Sequence, residues 1–113
     1  MMPKDDTVYL REILDCLALI EEYVAGVSYE TFLRERMRRD AVIKQIENVG
    51  EAARKLSKDF RKQHFEVPWV QIIAMRHVAT HEYSSLDWKV VWDTATLDIA
   101  PLKEAIQKIL AQG

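Results

Sequence analysis

Val42-Ile43-Lys44-Gln45-Ile46-Glu47-Asn48-Val49-Gly50-Glu51-Ala52-Ala53-Arg54-Lys55-Leu56 decides the fold class of this 113-residue chain. Val42, Ile46, Val49, Ala53 and Leu56 recur in alternating four- and three-residue steps. A helix of about 3.6 residues per turn gathers them into one apolar stripe. The other face is strongly charged, as a helix with one side in water requires.

The same rhythm runs outward in both directions. Toward the N-terminus, Tyr9, Ile13, Cys16, Ile20 and Tyr23 predict a first helix, with Asp5, Asp6 and Thr7 as caps and Gly26 as its stop. After Ser28, a short turn containing Phe32 and Leu33 leads into the charged helix. Toward the C-terminus, Pro68 suits a first helical position and opens a third helix carrying Trp69, Ile72, Ile73, Met75 and Ala79. Ser84, Ser85 and Asp87 give a break and a new cap. Trp88, Trp92, Ala95, Ile99, Leu102, Ile106 and Ile109 then keep the rhythm through Pro101. The missing N–H of that proline predicts a kink or restart near Ile99.

Three Gly and three Pro are too few for the tight turns of a sandwich or barrel. There is no internal repeat, no low-complexity linker and no sustained strand-like alternation. With 49% hydrophobic residues, a chain of this length buries enough apolar surface to fold as one unit. The expectation is a single all-α domain over residues 1–113, an antiparallel four-helix bundle with short additional helical turns. Cys16 is the only cysteine, which rules out an internal disulfide and reads as a buried thiol. No apolar run approaches the roughly 20 residues of a membrane span, and the N-terminus lacks the apolar stretch of a secretory signal. A cytoplasmic location is expected.

The net charge of -2 argues against a general nucleic-acid coat, but its distribution is uneven. Residues 34–62 hold ten Lys or Arg against five Asp or Glu. Arg38, Arg39, Arg54 and Lys55 are therefore candidate RNA-backbone contacts. The competing reading is a solvated helix face.

Met75-Arg76-His77-Val78-Ala79-Thr80-His81-Glu82-Tyr83 concentrates a guanidinium, two imidazoles and a phenol within an apolar-patterned segment. Arginine binds phosphate through a planar fork, histidine exchanges protons near neutrality, and a phenol donates or is modified. On a continuous helix Arg76 and His81 diverge by about 140°. Either the helix unwinds before His81, or a two-fold dimer brings Arg76 of one copy toward His81 of the other. Ile43, Phe60, Phe65 and Val70 are candidate apolar contacts for such a dimer. Competing structural readings pair Arg76 with a carboxylate such as Glu51, or place His77 and His81 on a metal ion. No cysteine pair or His-Glu-x-x-His pattern supports the metal, and none is predicted. His64 reads as an exposed linker residue.

The pattern Arg76-x4-His81-x-Tyr83 resembles the Arg-x4-6-His signature of the HEPN superfamily, in the Arg-x4-His-x-Tyr form of HepT-like toxins. Asn48-Val49-Gly50-Glu51-Ala52 resembles that family's Ile-Gly-Glu-Ala element. Val67-Pro68-Trp69 and Asp87 followed by Val90-Val91-Trp92 are also similar, so the likeness spans most of the chain in the right order. One departure is His77, where the family commonly has Asn or another polar group.

The resemblance implies a HEPN-like bundle with a metal-independent endoribonuclease activity and no cofactor. It implies a toxin paired with an MntA-like nucleotidyltransferase antitoxin that transfers AMP to Tyr83. Arg76, His81 and His77 are the implied catalytic residues, RNA the substrate and a homodimer the working form. A 2′,3′-cyclic phosphate product is expected. The alternatives are a non-catalytic HEPN module that binds nucleotide or a nucleotidyltransferase partner, and a purely structural helical bundle.

Overall fold

The computed structural model of the chain describes residues 4–81 and 85–112, with side-chain surroundings for 5–76 and 85–112. The regular structure of the described residues is all helical, with no strand among them. α1 spans Lys4–Val24 and carries Asp5 and Asp6 in its first turn, where carboxylates favour the helix dipole, rather than as caps. Its fully buried line is Leu10, Ile13, Leu17 and Ile20, extended by Val24. Tyr9, Cys16 and Tyr23, expected in that line, are half-buried at its edge. The reason is that α1 packs against two neighbours, so its apolar arc is wide. The centre of such an arc goes to purely aliphatic side chains, while a phenol keeps its hydroxyl at the margin. Burial and the nearby carboxylates of Asp15 and Glu12 push the Cys16 thiol pKa up.

Gly26 closes α1 at φ +71°, the left-handed conformation that a residue without Cβ adopts freely. Ser28 caps the short α2 (Tyr29–Arg34), its hydroxyl accepting from the Thr31 N–H at 3.1 Å. α3 (Arg36–Lys55) buries Val42, Ile46, Val49 and Ala53 as expected, with Leu56 just beyond its end. α4 (Lys58–Gln63) is a short extra helix. Its cap, Ser57, donates backbone N–H and Oγ–H to the buried Asp6, both at 2.8 Å. His64 is half-buried against the Phe60 ring rather than exposed, with centroids 4.6 Å apart.

α5 (Trp69–His81) carries the motif helix. α6 (Trp88–Asp93) starts at Asp87, whose side chain accepts from the Lys89 and Val90 N–H groups. A π-helical turn, Thr94–Asp98, then hands over to α7 (Ile99–Gln112). The expected restart at Ile99 is present. Pro101 falls two residues into α7, directly after the π-helical turn, so its missing N–H removes one donor from a continuous helical run at the point where the hydrogen-bond pattern changes.

The long helices alternate in direction. Asp6 meets Ser57 while Arg38 donates to the Tyr23 carbonyl, so α1 and α3 run antiparallel. Lys103, early in α7, pairs with Glu21, late in α1, at 2.8 Å. Gly50 lies against Ile72 and Arg76, while Ile43 and Ile46, nearer the start of α3, border one cavity with Met75 and with Leu86 beyond the end of α5, which sets α5 antiparallel to α3. This is the predicted all-α bundle. Three of its seams, α7/α1, α1/α3 and α3/α5, are closed. Between α5 and the α7 arm a cleft of about 380 Å³ remains, with Ile72 and Met75 on one wall and Ile99, Leu102 and Ala105 on the other.

Candidate active site

Gly50 sets the approach of the motif helix. A Cβ placed there would stand 2.7 Å from Arg76 Cβ and 3.0 Å from the Ile72 carbonyl oxygen, closer than side chains tolerate. Glycine in a helix interior costs about 1 kcal/mol relative to alanine, and here it allows α5 to seat directly on α3. Arg76 is thereby placed at the seam, with 35% of its side chain exposed.

Glu51, the next residue on α3, meets that guanidinium. Its Oε2 lies 3.4 Å from Arg76 Nε, while its Oε1 accepts from Arg54 Nη2 at 2.6 Å and Oε2 accepts from Arg54 Nε at 3.4 Å. The hydrogen bond from Arg54 holds the Glu51 carboxyl below its usual pKa, helped by the positive charges of Arg54, Arg76 and Lys55. The same contact raises the Arg54 guanidinium. Two guanidinium groups around one carboxylate leave the cluster with net positive charge, suited to an anionic ligand. The pairing of Arg76 with Glu51 considered from sequence is therefore present.

α5 continues without interruption through His81, so of the two alternatives considered from sequence the unwinding before that residue does not occur. Taking Arg76 as zero, helical geometry places Val70 at about 120° and Ala74 at about 160°, with His77 and His81 at about 100° and 140°. Val70 is 77% exposed and Ala74 is exposed as well. The two histidine positions thus share a helix sector with two exposed apolar residues, while Arg76 occupies the sector facing α3. The side chains of His77 and His81, and Tyr83 altogether, lie outside the described residues.

The four basic residues proposed as RNA contacts divide into two groups. Arg38 and Arg39 lie in the first turn of α3, and Arg54 and Lys55 end it. Sixteen residues of helix separate Arg38 from Arg54 by about 24 Å. Arg38 contacts Glu35 and the Tyr23 carbonyl; Arg39 lies over the Trp88 ring at 4.8 Å. Lys55 reaches over Tyr9 at 5.8 Å. Of the four, Arg54 touches Glu51 directly, and Lys55 acts on it through charge alone.

Among the candidate dimer contacts, Ile43 and Phe60 are core residues, at 6% and 3% exposure. Within the same chain Ile43 borders a cavity with Met75, Leu86 and Val91, and Phe60 packs against the rings of His64 and Trp69. Phe65 is 83% exposed and, like Val70, remains available. Among the described residues no group of His, Cys, Asp and Glu is arranged to hold a metal ion. No helix among them is long and apolar enough to cross a membrane.

Sequence reasoning quoted Gly50 without giving it a role. The signal was available: an interior glycine in a strongly patterned helix marks a close backbone approach. Arg54 as the second ligand of Glu51 was also legible from its i,i+3 spacing.

Residues 13–109 match the family described as Ribonuclease HepT-like. A protein of Methanocaldococcus jannaschii named "Gamma-glutamylcyclotransferase and putative RNase" is 36% identical over 111 residues, 98% of this chain. The chain spans 50% of that relative's length. A "Putative RNase" of Caldanaerobacter subterraneus is 34% identical, covering 90% of this chain and 91% of its own. A "Probable ribonuclease HepT" of Thermococcus cleftensis is 34% identical over 96% of this chain and 98% of its own. No solved structure matches.

Proposed function

The chain belongs to the HepT-like ribonuclease family, and from that premise we propose that it is a metal-independent endoribonuclease toxin acting through Arg76, His81 and His77. The observation that carries this reading is the division of labour around α5: Arg76 is fixed at the α3 seam inside a positively charged cluster, and both histidine positions share the outer sector with Val70.

His81 accepts the proton of a ribose 2′-hydroxyl as its oxygen attacks the adjacent phosphorus. Arg76 binds the nonbridging oxygens and stabilises the charge that grows on them. His77, or His81 of a second copy, protonates the departing 5′-oxygen, leaving a 2′,3′-cyclic phosphate. The divergence of Arg76 and His81 along one straight helix favours a site shared by two copies. The composition of α5 favours it too. Apolar residues surround the helix, and a helix apolar all round is normally covered on more than one side. Within one chain, Val70 and Ala74 have no such cover.

Tyr83, two residues past His81, is the proposed acceptor of AMP from an MntA-type nucleotidyltransferase antitoxin. An added phosphate diester beside Arg76 would neutralise its charge and occupy the substrate's position.

The test compares wild type with Arg76→Ala and His81→Ala in a labelled-RNA cleavage assay containing EDTA. Each variant is expected to lose about 10²–10⁴-fold in rate, the range for a general base or an electrostatic stabiliser. Wild-type cleavage by His81→Ala would remove the proposed base. Nucleotide binding without cleavage by the wild type would favour the non-catalytic module. Coexpression with the nucleotidyltransferase should add the mass of AMP to the wild type and nothing to Tyr83→Phe.

A further inference from the structure

The geometry points to Glu51 as a positioning residue for Arg76, clamped in turn by Arg54, so that the phosphate-binding guanidinium is oriented before substrate arrives. The inference rests on the ribonuclease reading for its catalytic consequence and on the contacts alone for the orientation itself.

An arginine side chain has four rotatable torsions and loses about 2 kcal/mol of rotamer freedom when fixed. If Arg76 were fixed only by the substrate, that ordering would occur during binding and would weaken the transition-state contact. Three features order it beforehand. Gly50 lets the two helix backbones approach until a Cβ at 50 would overlap Arg76 Cβ, so the root of the side chain has one place to go. Glu51 Oε2 stands 3.4 Å from the buried Arg76 Nε, an ion pair without hydrogen-bond geometry that holds the near nitrogen of the guanidinium beside α3. Glu51 is not left to swing, because Arg54 grips both its oxygens, at 2.6 and 3.4 Å.

A lone carboxylate would serve poorly here, since it would offset the Arg76 charge that a phosphate needs. Arg54 restores the balance: one carboxylate between two guanidinium groups keeps the site cationic while still orienting Arg76. The sequence run Gly50-Glu51-x-x-Arg54 thus acts as a mount, supplied by α3, for a group carried on α5.

Two readouts test it on the full chain. The first is the Arg76 ¹⁵Nε–¹Hε resonance, identified by its loss in Arg76→Lys. In the wild type it should stand apart from the averaged arginine envelope, and Glu51→Gln should merge it into that envelope. The second is steady-state RNA cleavage, in which Glu51→Gln should lower kcat about 10–100-fold with KM changed less than about threefold, the signature of lost orientation. Arg54→Ala, which loosens the carboxylate without removing it, should give an intermediate result in both. It also serves as the reporter if Glu51→Gln fails to fold.

An Arg76 resonance unchanged by Glu51→Gln and by Arg54→Ala would overturn the mount. A kcat equal to or above wild type would show that Glu51 competes with phosphate. Should Arg76→Ala cleave RNA normally, the ribonuclease reading fails while the resonance still answers the structural question.

Discussion

The two sides of α5 differ in how closely they are held. Toward α3 the helix rests on Gly50 with no room for a methyl group, and its Arg76 is engaged by Glu51. Toward α7 it faces a cleft of about 380 Å³, bordered by Ile72 and Met75. A close-packed seam transmits displacement because its atoms have nowhere to move, whereas a slack one absorbs it. Arg76 sits on the first side, so its position depends on α3 and is insulated from α7. The histidine positions belong to neither seam and follow only from the run of the helix to His81.

Breaking the closed seam should have the largest effect. Gly50→Ala gains about 1 kcal/mol of helix propensity but forces α5 away or distorts Arg76, an overpacking cost of roughly 1–3 kcal/mol or more. The contact at 2.7 Å is carbon against carbon at the root of a side chain, and the second contact is backbone, so neither yields easily. We expect net destabilisation, seen as a Tm lowered by several degrees, together with loss of RNA cleavage. An alanine variant as stable and active as wild type would mean that the seam is not closed.

The open side should respond in the opposite sense. Ala105 is half-buried on the α7 wall of the cleft. Ala105→Leu places apolar atoms into existing space, and cavity filling of this kind stabilises by about 0.5–2 kcal/mol. A Tm raised by a few degrees, with cleavage unchanged within about twofold, would confirm that α5 is insulated on this side. A loss above about 1 kcal/mol would show that the walls close in solution.

Both seams were unequally legible before the fold was known. The stripe Val42, Ile46, Val49, Ala53 and Leu56 went inward as the spacing required, because α3 has a charged back that leaves one choice of face. α1 offered two adjacent apolar lines, and spacing alone selected Tyr9, Cys16 and Tyr23 over Leu10, Leu17 and Val24. Side-chain chemistry, not period, made the difference. α5 gave least, since apolar residues lie all round it and no period marks which side meets α3. The pairing of Asp6 with Ser57, 51 residues apart, left no local trace at all. At the site, residue types and their order were readable, including Glu51 as a partner for Arg76. Which groups a single chain brings together was not, because that depends on where α5 stops being helical.

The smallest expected effect separates the two sides by pH. The Glu51 carboxyl lies below its usual pKa in the folded chain, chiefly through the Arg54 hydrogen bond. A depressed carboxylate contributes stability that is fully present above the unfolded value of about 4.3 and is lost as pH falls through the lower folded value. Arg54 is 52% and Glu51 34% exposed, so solvent screens the pair and the contribution is modest. The Tm difference between wild type and Arg54→Ala should accordingly stay constant from pH 8 to about 5 and shrink below about 4.3. The difference produced by Ala105→Leu involves no titrating group and should stay flat through the same range. An Arg54→Ala deficit that persisted undiminished at pH 2 would mean the closed seam is held by packing alone, with the charge on Glu51 adding nothing to its grip.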